Sequence, residues 1–384
     1  MLARTLSLAP LLLWTACASA PSRTADDIPH QVTSTLSAQH QQHIVDAARR
    51  LMLRDNVPGL QMSAAWPDGQ TLTLAMGHVD EAATTPMTSQ HVLQVGSTSK
   101  LLTAVLVLRA VEQKRLTLDA KLSTWFAGFP KADVIDVRML LQHRTGFAEV
   151  LQKPSKLVSS TLSQKEWVLQ EVIADMMDDD LAFTPGTRFQ YCNTNYVVLG
   201  GILEKVHGKP FHQVLHDEVV TPLALTSTWM PPGPPLHTAV AHGVDVDFMP
   251  FGPHWMDGGN PSWTTLASSA GGLMSTSSDL VRVMRAWATH QLLSSTMTAQ
   301  MMRLRDLQDP PEATMTGYGL GVSGYTLGTG VDAVDVKGHR GGIMGFDSTP
   351  VCTVDGACVV VLLNHSRMDS HTGLDLAHQV LRLR

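Results

Sequence analysis

The spacing of apolar residues predicts a helix followed by a hairpin near the start of the folded chain. Over residues 38–55 the apolar positions recur at helical steps: Ile44, Val45, Ala48, Leu51 and Met52. Pro58-Gly59 breaks that pattern. Two runs typical of strands, 60–66 and 71–76, then flank the turn at 67–69. The expected order of elements is therefore helix, strand, turn, strand.

The rest of the chain divides into a helical part and a late group of strands. Residues 100–113 are almost continuously apolar and predict a buried helix, and residues 115–265 alternate short helical patterns with turns rich in Pro and Gly. Four short, turn-separated runs then predict antiparallel strands at 317–326, 334–338, 347–353 and 358–364. A last helical pattern covers 374–383.

We therefore predict an α/β (α+β) fold in which the two ends of the chain form one antiparallel β-sheet flanked by helices. A mostly helical region, about 97–265, is inserted between them. The predicted catalytic domain spans 38–384, and the polar residues 21–37 are predicted to be a linker.

The N-terminal residues 1–20 are typical of an export signal. They contain Arg4, an apolar run at 6–14 and the small residues 18–20. Two kinds of processing remain open: cleavage after Ala20, which the following Pro21 disfavours, and lipid attachment at Cys17, which Trp14 disfavours. Both predict a protein outside the cytoplasm, periplasmic or held at the membrane by a lipid on Cys17.

Charge and cysteine content exclude some classes of partner. The net charge is −6 and no basic block is present, so nucleic acid is not an expected partner. Cys352 and Cys358 flank the turn signal Asp355-Gly356; a disulfide across a hairpin and two free thiols both fit this spacing. No cysteine spacing is typical of a metal site, and no cofactor is expected.

Ser97 and Lys100 form the first candidate catalytic motif. They lie three residues apart where the predicted buried helix begins, which places them on one helix face. A serine nucleophile needs a nearby base, and a lysine desolvated in a pocket can supply one near neutral pH. The free N–H groups of the helix start can stabilise an oxyanion. A short S-x-x-K match also arises by chance on solvated helices, but the apolar helix after Lys100 disfavours an exposed lysine here.

Two further motifs contain groups suited to the same chemistry. Tyr191 and Asn193 precede another apolar helix and offer a phenol and an amide. A tyrosine that only packs the helix start is the alternative. His339, Arg340, Gly341 and Gly342 follow a predicted strand, where small residues let a substrate approach the backbone. A bulge or tight turn explains those glycines equally well.

Together these motifs resemble the S-x-x-K, Y-x-N and K/H-x-G motifs of serine β-lactamases, penicillin-binding carboxypeptidases and related esterases. The resemblance covers residues 40–384, and the Y-x-N form is similar to the class C and esterase branches. It implies that Ser97 is acylated and that Lys100 and Tyr191 share the proton transfers, without deciding which is the general base. It also implies that Asn193 orients substrate or Lys100, and that the oxyanion hole is the N–H of Ser97 and of Gly342.

Two residues depart from the family pattern. His339 stands where β-lactamases have lysine, so a neutral ring would replace a permanent charge for a substrate carboxylate. Arg340 stands where Thr or Ser is usual; it either restores carboxylate binding or points to solvent. Cys192, within the second motif, is interpreted as a small buried space-filler and His143 as a structural hydrogen-bonding residue.

The resemblance implies a metal-free serine hydrolase acting on an ester, an amide or a D-amino-acid peptide bond. The substrate would be a small molecule or peptide. One alternative is a class C-like β-lactamase or D-alanyl-D-alanine carboxypeptidase. Another is a binding or sensor protein that has kept the fold without turnover, which the intact Ser97, Lys100 and Tyr191 disfavour.

Overall fold

The computed structural model describes residues 28–153, 164–236, 239–247, 253–307, 314–367 and 371–383. The predicted export signal and Cys17 lie outside these residues. The helices are α1 (Ala38–Asp55), α2 (Ser99–Glu112), α3 (Val137–Leu141), α4 (Leu169–Ala174), α5 (Asn193–His207), α6 (Phe211–Leu215), α7 (Pro261–Gly271), α8 (Ser277–Ala288), α9 (Ser295–Met301) and α10 (Thr372–Leu381).

The strands come from both ends of the chain, with a few short ones between. They are β1 (His30–Ser34), β2 (Gly59–Ala65), β3 (Thr71–Gly77), β4 (Leu93–Gln94), β5 (Gly243–Asp245), β6 (His254–Met256), β7 (Met274–Ser275), β8 (Met315–Tyr318), β9 (Ser323–Leu327), β10 (Val334–Gly338), β11 (Gly341–Ile343), β12 (Phe346–Thr353), β13 (Cys358–Leu363) and β14 (His365–Ser366).

The main sheet has nine strands and joins the two ends of the chain. Its order is β1-β3-β2-β13-β12-β10-β9-β8, with β11 paired to β12, and every pairing is antiparallel. The central contact is β2 against β13, where Leu60 lies opposite Leu363. The predicted sheet, formed from both ends of the chain with a helical region between them, is confirmed.

Side chains of β2 alternate between two cores, as a strand covered on both faces requires. Leu60 and Met62 are fully buried in the core under α1 and α10. The residue between them, Gln61, faces the other side, where its Oε1 accepts the Ser277 N–H at 3.1 Å. Ser63 Oγ similarly lies 2.9 Å from Ser277 Oγ, so α8 is fixed to the sheet by polar contacts.

The inserted region forms the larger core. Helix α2 is buried along nearly its whole length, and α5 and α7 pack beside it. This explains why its sequence has no polar stripe: an element surrounded by others has no solvent face. Within the described part of the chain, no helix has both the length and the apolar character needed to cross a bilayer.

Three local differences from the sequence predictions have physical causes. Residues 30–34, predicted as part of the linker, form strand β1 on the edge of the sheet against β3. Their polar composition fits a half-exposed edge strand as well as a linker. The run 317–326 is two strands, β8 and β9, joined by a turn at 319–322. Strands β5 and β6 lie within the region predicted as mostly helical, and they form a small sheet with β14.

Cys352 and Cys358 form a disulfide between β12 and β13. They are directly opposite each other in the strand register, and both are buried. Of the two alternatives that the sequence left open, the structure shows the bonded one. Among the described residues, Cys192 is the free cysteine.

Replacing both disulfide cysteines should destabilise the protein. For the double variant Cys352→Ser, Cys358→Ser we expect a loss of about 2 kcal/mol in the free energy of unfolding, since the bond closes a short loop six residues apart. Urea unfolding followed by circular dichroism measures it. Addition of a reductant should bring the unaltered protein to the same value; equal stability of the two proteins in oxidising buffer would contradict the bond.

Candidate active site

Ser97 lies in a tight turn, Gly96–Thr98, immediately before α2. Gly96 has φ +49°, and a Cβ there would lie 2.7 Å from the carbonyl oxygen of Gly342. On the facing strand, a Cβ at position 341 would lie 2.1 Å from the Val95 carbonyl oxygen and 2.7 Å from the Ser97 nitrogen. The serine turn and β11 can therefore touch only because residues 96 and 341 both lack side chains.

Two hydroxyl groups hold the serine turn against the sheet. Thr98 Oγ1 donates to the His339 carbonyl at 2.9 Å, and Ser348 Oγ donates to the Val95 carbonyl at 2.7 Å. Both side chains are buried. The nucleophile is thus fixed relative to the strand that carries the third motif.

Lys100 is fully buried directly beneath Ser97. Its Nζ lies 2.9 Å from Ser97 Oγ, 2.6 Å from Asn193 Oδ1 and 2.7 Å from the Ala270 carbonyl oxygen. Burial lowers the pKa of Lys100 from 10.5 to about 7, against the opposing effect of the Glu149 carboxylate. A neutral amine has two hydrogens and one lone pair. The two carbonyl-type acceptors use both hydrogens, so the lone pair faces the Ser97 hydroxyl.

The Ala270 carbonyl reaches Lys100 because α7 is interrupted. Ser268, two residues earlier, has φ +41° and ψ −127°, a backbone conformation that is rare for residues other than glycine. The helix ends at Gly271, so the Ala270 carbonyl has no partner one turn further on. It accepts the Lys100 amine instead.

Tyr191 hydrogen-bonds to the hydroxyl of Ser97. Lys100 Nζ is 4.9 Å from the centre of its ring. Burial raises the pKa of Tyr191 well above 10, and the hydrogen bond to Ser97 offsets only part of that shift. Tyr191 is therefore a protonated phenol at neutral pH, and its O–H can donate to Ser97 Oγ.

Asn193 begins α5 and connects the second motif to Lys100. Its backbone N–H donates to Glu149 Oε2 at 2.7 Å, and its side chain accepts from Lys100. Glu149, which no sequence motif indicated, caps this helix and acts electrostatically on Lys100. It lies 44 residues before Asn193 in an irregular segment, so no local pattern could have indicated it.

His339 is buried at the end of β10, with both ring nitrogens bound within the protein. Nδ1 lies 2.7 Å from the Arg340 carbonyl oxygen, and Nε2 lies 2.9 Å from the Tyr318 hydroxyl. Burial lowers its pKa from 6.5 to about 3, and the charge of Lys100 acts in the same direction. The ring is therefore neutral, as the sequence indicated, but its nitrogens bind protein groups where a substrate contact was expected.

Arg340 does not point to solvent, so that alternative is wrong. Its guanidinium is paired with Asp347 at 3.2 Å, and the two side chains are only 11% and 14% exposed.

Cys192 is buried, and burial raises its pKa to about 12, so it is not a reactive thiol.

The candidate active site opens into a cleft of about 640 Å³. Ser97, Tyr191, His339, Arg340, Gly341 and Gly342 reach its surface, while Lys100 and Asn193 lie behind Ser97. A Cβ at Gly342 would meet open space, so its backbone is accessible to a ligand. The cleft also holds charged residues that the sequence analysis did not identify: Asp245, Asp247, Asp347 and Arg367. Among the described residues, no group of three or more His, Cys, Asp or Glu side chains is placed to hold a metal ion.

Substituting Gly96 should disable Ser97. In Gly96→Ala the new Cβ would press on the Gly342 backbone, so we expect the rate of Ser97 labelling by a serine-directed phosphonate to fall about 100-fold or more, as for loss of an oxyanion donor. Intact-mass spectrometry over time measures this rate.

Gly69→Ala is the matched control. Gly69 also has a positive φ, +89°, but a Cβ there meets nothing within 4 Å. It should cost about 1–2 kcal/mol of backbone strain and leave the labelling rate unchanged. Equal labelling rates in the two variants would show that the close approach at position 96 has no role.

Comparison with known proteins identifies the family. The sequence pattern of the Beta-lactamase family matches residues 44–382. The chain is 26% identical over 362 residues to penicillin-binding protein 4 of Amycolatopsis lactamdurans, which covers 89% of each protein. The solved D-amino acid amidase of Ochrobactrum anthropi SV3 superposes with a TM-score of 0.79 at 23% identity, over 90% of this chain and 98% of that one.

A D-stereospecific amidohydrolase from a Streptomyces species superposes with a TM-score of 0.71 at 25% identity, over 88% of this chain and 97% of that one. The family match spans strands β2 to β14 and all three motifs. This chain therefore belongs to the Beta-lactamase family of serine hydrolases.

Proposed function

We propose that this protein hydrolyses an ester or amide bond through an acyl-enzyme on Ser97, with Lys100 as the general base. The observation that carries the proposal is the set of contacts around Lys100 Nζ. Two acceptors bind the hydrogens of the neutral amine and leave its lone pair for the Ser97 hydroxyl. A pKa of about 7 keeps the base largely unprotonated just above neutral pH.

In acylation, Ser97 Oγ attacks the substrate carbonyl carbon and its proton moves to Lys100 Nζ. The developing oxyanion would be bound by the N–H groups of Ser97 and Gly342. The leaving alcohol or amine takes the Tyr191 proton, since that hydroxyl is protonated and hydrogen-bonded to Ser97. Lys100 then returns its extra proton to Tyr191, so both groups regain their starting states.

Deacylation follows the same path with water as the nucleophile. Water attacks the acyl carbon and gives a proton to the Lys100–Tyr191 pair, and the pair reprotonates Ser97 Oγ as the acid leaves. No step needs a metal ion or a cofactor.

The charges in the cleft favour an uncharged ester or amide over a substrate that carries a carboxylate. His339 is neutral and both its nitrogens are bound, and the nearby Arg340 is paired with Asp347. Among the lining residues three aspartates outnumber two arginines, so a β-lactam or a peptide ending in D-alanine would meet net negative charge. The likeness to a D-stereospecific amidohydrolase supports including amides of D-configured acids, such as a D-amino-acid amide, as substrates.

We also propose that the protein works outside the cytoplasm. The disulfide between Cys352 and Cys358 supports this, because such bonds persist in oxidising compartments. The signal-like N-terminal residues support it independently.

The pH dependence of ester hydrolysis tests the base. Because Lys100 must be neutral, kcat/KM on a p-nitrophenyl ester should rise with pH through about 7 and level off above it. The high pKa of Tyr191 predicts no falling limb below about pH 9. A Ser97→Ala variant supplies the uncatalysed rate for subtraction.

Glu149→Gln should move this rising limb to lower pH. The carboxylate raises the pKa of Lys100, and glutamine removes its charge while keeping an oxygen for the Asn193 N–H. A limb that stays in place, or one that moves to higher pH, would rule out Lys100 as the titrating base.

The substrate preference is measurable with four compounds: a p-nitrophenyl ester, a D-amino-acid amide, a chromogenic cephalosporin and a D-alanyl-D-alanine peptide. We expect kcat/KM on the ester or the amide to exceed both others by about 100-fold or more, the result of about 3 kcal/mol of charge discrimination. Faster turnover of the cephalosporin or the peptide would mean that the cleft binds carboxylates. If no compound is hydrolysed and Ser97 takes up no phosphonate, the chain is the binding or sensor protein considered above.

A further inference from the structure

Tyr318 joins the second and third motifs, although it belongs to neither. It ends strand β8 and is buried. Its hydroxyl oxygen lies 2.9 Å from His339 Nε2 and 3.1 Å from His143 Nε2. Backbone hydrogen bonds to Arg305 in both directions fix its main chain, so the hydroxyl is held in place independently of the two histidines.

The direction of each hydrogen bond follows from the ends of the network. His339 Nδ1 faces the Arg340 carbonyl, which only accepts, so Nδ1 carries the hydrogen and Nε2 is an acceptor. Tyr318 must then donate its one hydrogen to His339. Having none left, it must accept from His143, whose hydrogen is therefore on Nε2.

The opposite end of the network requires the same arrangement. His143 Nδ1 receives the Cys192 N–H at 3.2 Å and the Asn195 amide nitrogen at 3.2 Å. The Asn195 oxygen accepts from Thr145 Oγ1 at 2.6 Å, which fixes the orientation of the amide. Two independent ends thus give one assignment: His143 is the Nε2–H tautomer and His339 the Nδ1–H tautomer.

Both histidines contact the catalytic groups. The His143 ring is stacked on the Tyr191 ring with centres 4.4 Å apart, and the His339 ring lies 6.1 Å from Tyr191. The His339 carbonyl also accepts from Thr98, next to the nucleophile. Tyr318 therefore connects His143, which packs against Tyr191, with His339, whose carbonyl holds the Ser97 turn.

We propose that Tyr318 is a positioning residue for the Ser97 reaction, which holds His143 and His339 as opposite neutral tautomers beside Tyr191 and Lys100. This inference rests on the proposed function. It also gives a role to the histidine at position 339, where β-lactamases have lysine: the ring joins a neutral network and presents no charge to the substrate.

The neutrality of the network matters because Lys100 must gain a proton during acylation. The groups that face the two histidines are Lys100, Tyr191, Tyr196, Tyr318 and the backbone of Cys192 and Arg340. The Arg340 guanidinium is neutralised by Asp347. A proton on either ring would place a second cation near Lys100 and oppose the proton transfer. Burial and Lys100 together lower the pKa of both rings.

The test compares Tyr318→Phe with Tyr196→Phe. Tyr196 is a second buried tyrosine whose hydroxyl donates to the Leu141 carbonyl at 2.9 Å. This hydroxyl lies 3.4 Å from the Tyr318 hydroxyl but binds neither histidine, so Tyr196→Phe controls for losing a buried hydroxyl beside Tyr318. Nitrogen-15 histidine spectra report the tautomers, with signals assigned by their loss in His143→Asn and His339→Asn. Ester kinetics and the rate of Ser97 phosphonylation report the activation of the nucleophile.

We expect the unaltered protein to show Nε2–H at His143 and Nδ1–H at His339. Tyr318→Phe should change both signals, and it should lower kcat and the phosphonylation rate about 10- to 100-fold while KM stays within about threefold. The rising limb of the pH profile should become steeper, because one of the two histidine rings can then be protonated. Tyr196→Phe should leave the tautomers and the shape of the limb unchanged.

Other results overturn the inference. One is the reverse pair of tautomers in the unaltered protein. Another is a Tyr318→Phe variant that keeps the original tautomers; if its rate is lowered all the same, the role of Tyr318 is merely structural. Equal effects of the two variants would do the same. Failure of the proposed function looks different, because the unaltered protein would then lack both ester turnover and phosphonylation whatever its tautomers.

Discussion

The burial of one amine determines how the rest of the molecule is arranged. Lys100 sits without exposure between a hydroxyl, an amide oxygen and a main-chain carbonyl, and these come from the turn before α2, from α5 and from α7. An ammonium in such a place would be costly, so the protein carries the group near its neutral form. Three helices must meet at one atom, and the packing of the inserted region around α2 provides that meeting point.

The sheet supplies the other half of the site. Strand β11 approaches the serine turn so closely that neither Gly96 nor Gly341 has room for a side chain. Thr98 and Ser348 then join the turn to His339, directly after β10, and to β12 by hydrogen bonds. The family motifs therefore occur where the two halves of the chain touch.

The sequence predicted well what depends on local patterning. The first helix, the hairpin of β2 and β3 and the late strands follow from apolar spacing and turn residues, and S-x-x-K places Ser97 and Lys100 on one face because helical geometry is local. What it missed depends on long-range contact. Glu149 and Tyr318 act on residues 44 and 21 positions away through side chains that no local pattern distinguishes from core packing. The partner of Arg340 was missed for the same reason, and β1 was missed because an edge strand needs no apolar face.

The interrupted end of α7 has a consequence for how this site can vary. One of the two groups that orient Lys100 is the Ala270 carbonyl, which belongs to the backbone and is the same for every amino acid. Replacing the side chain at position 270 cannot delete this contact, so a survey of single substitutions would overlook it. What such a survey can alter is the path of the chain, set at Ser268 by an uncommon backbone conformation. The backbone at Ser268 thus controls the direction of the Lys100 amine, although the Ser268 side chain takes no part in the reaction.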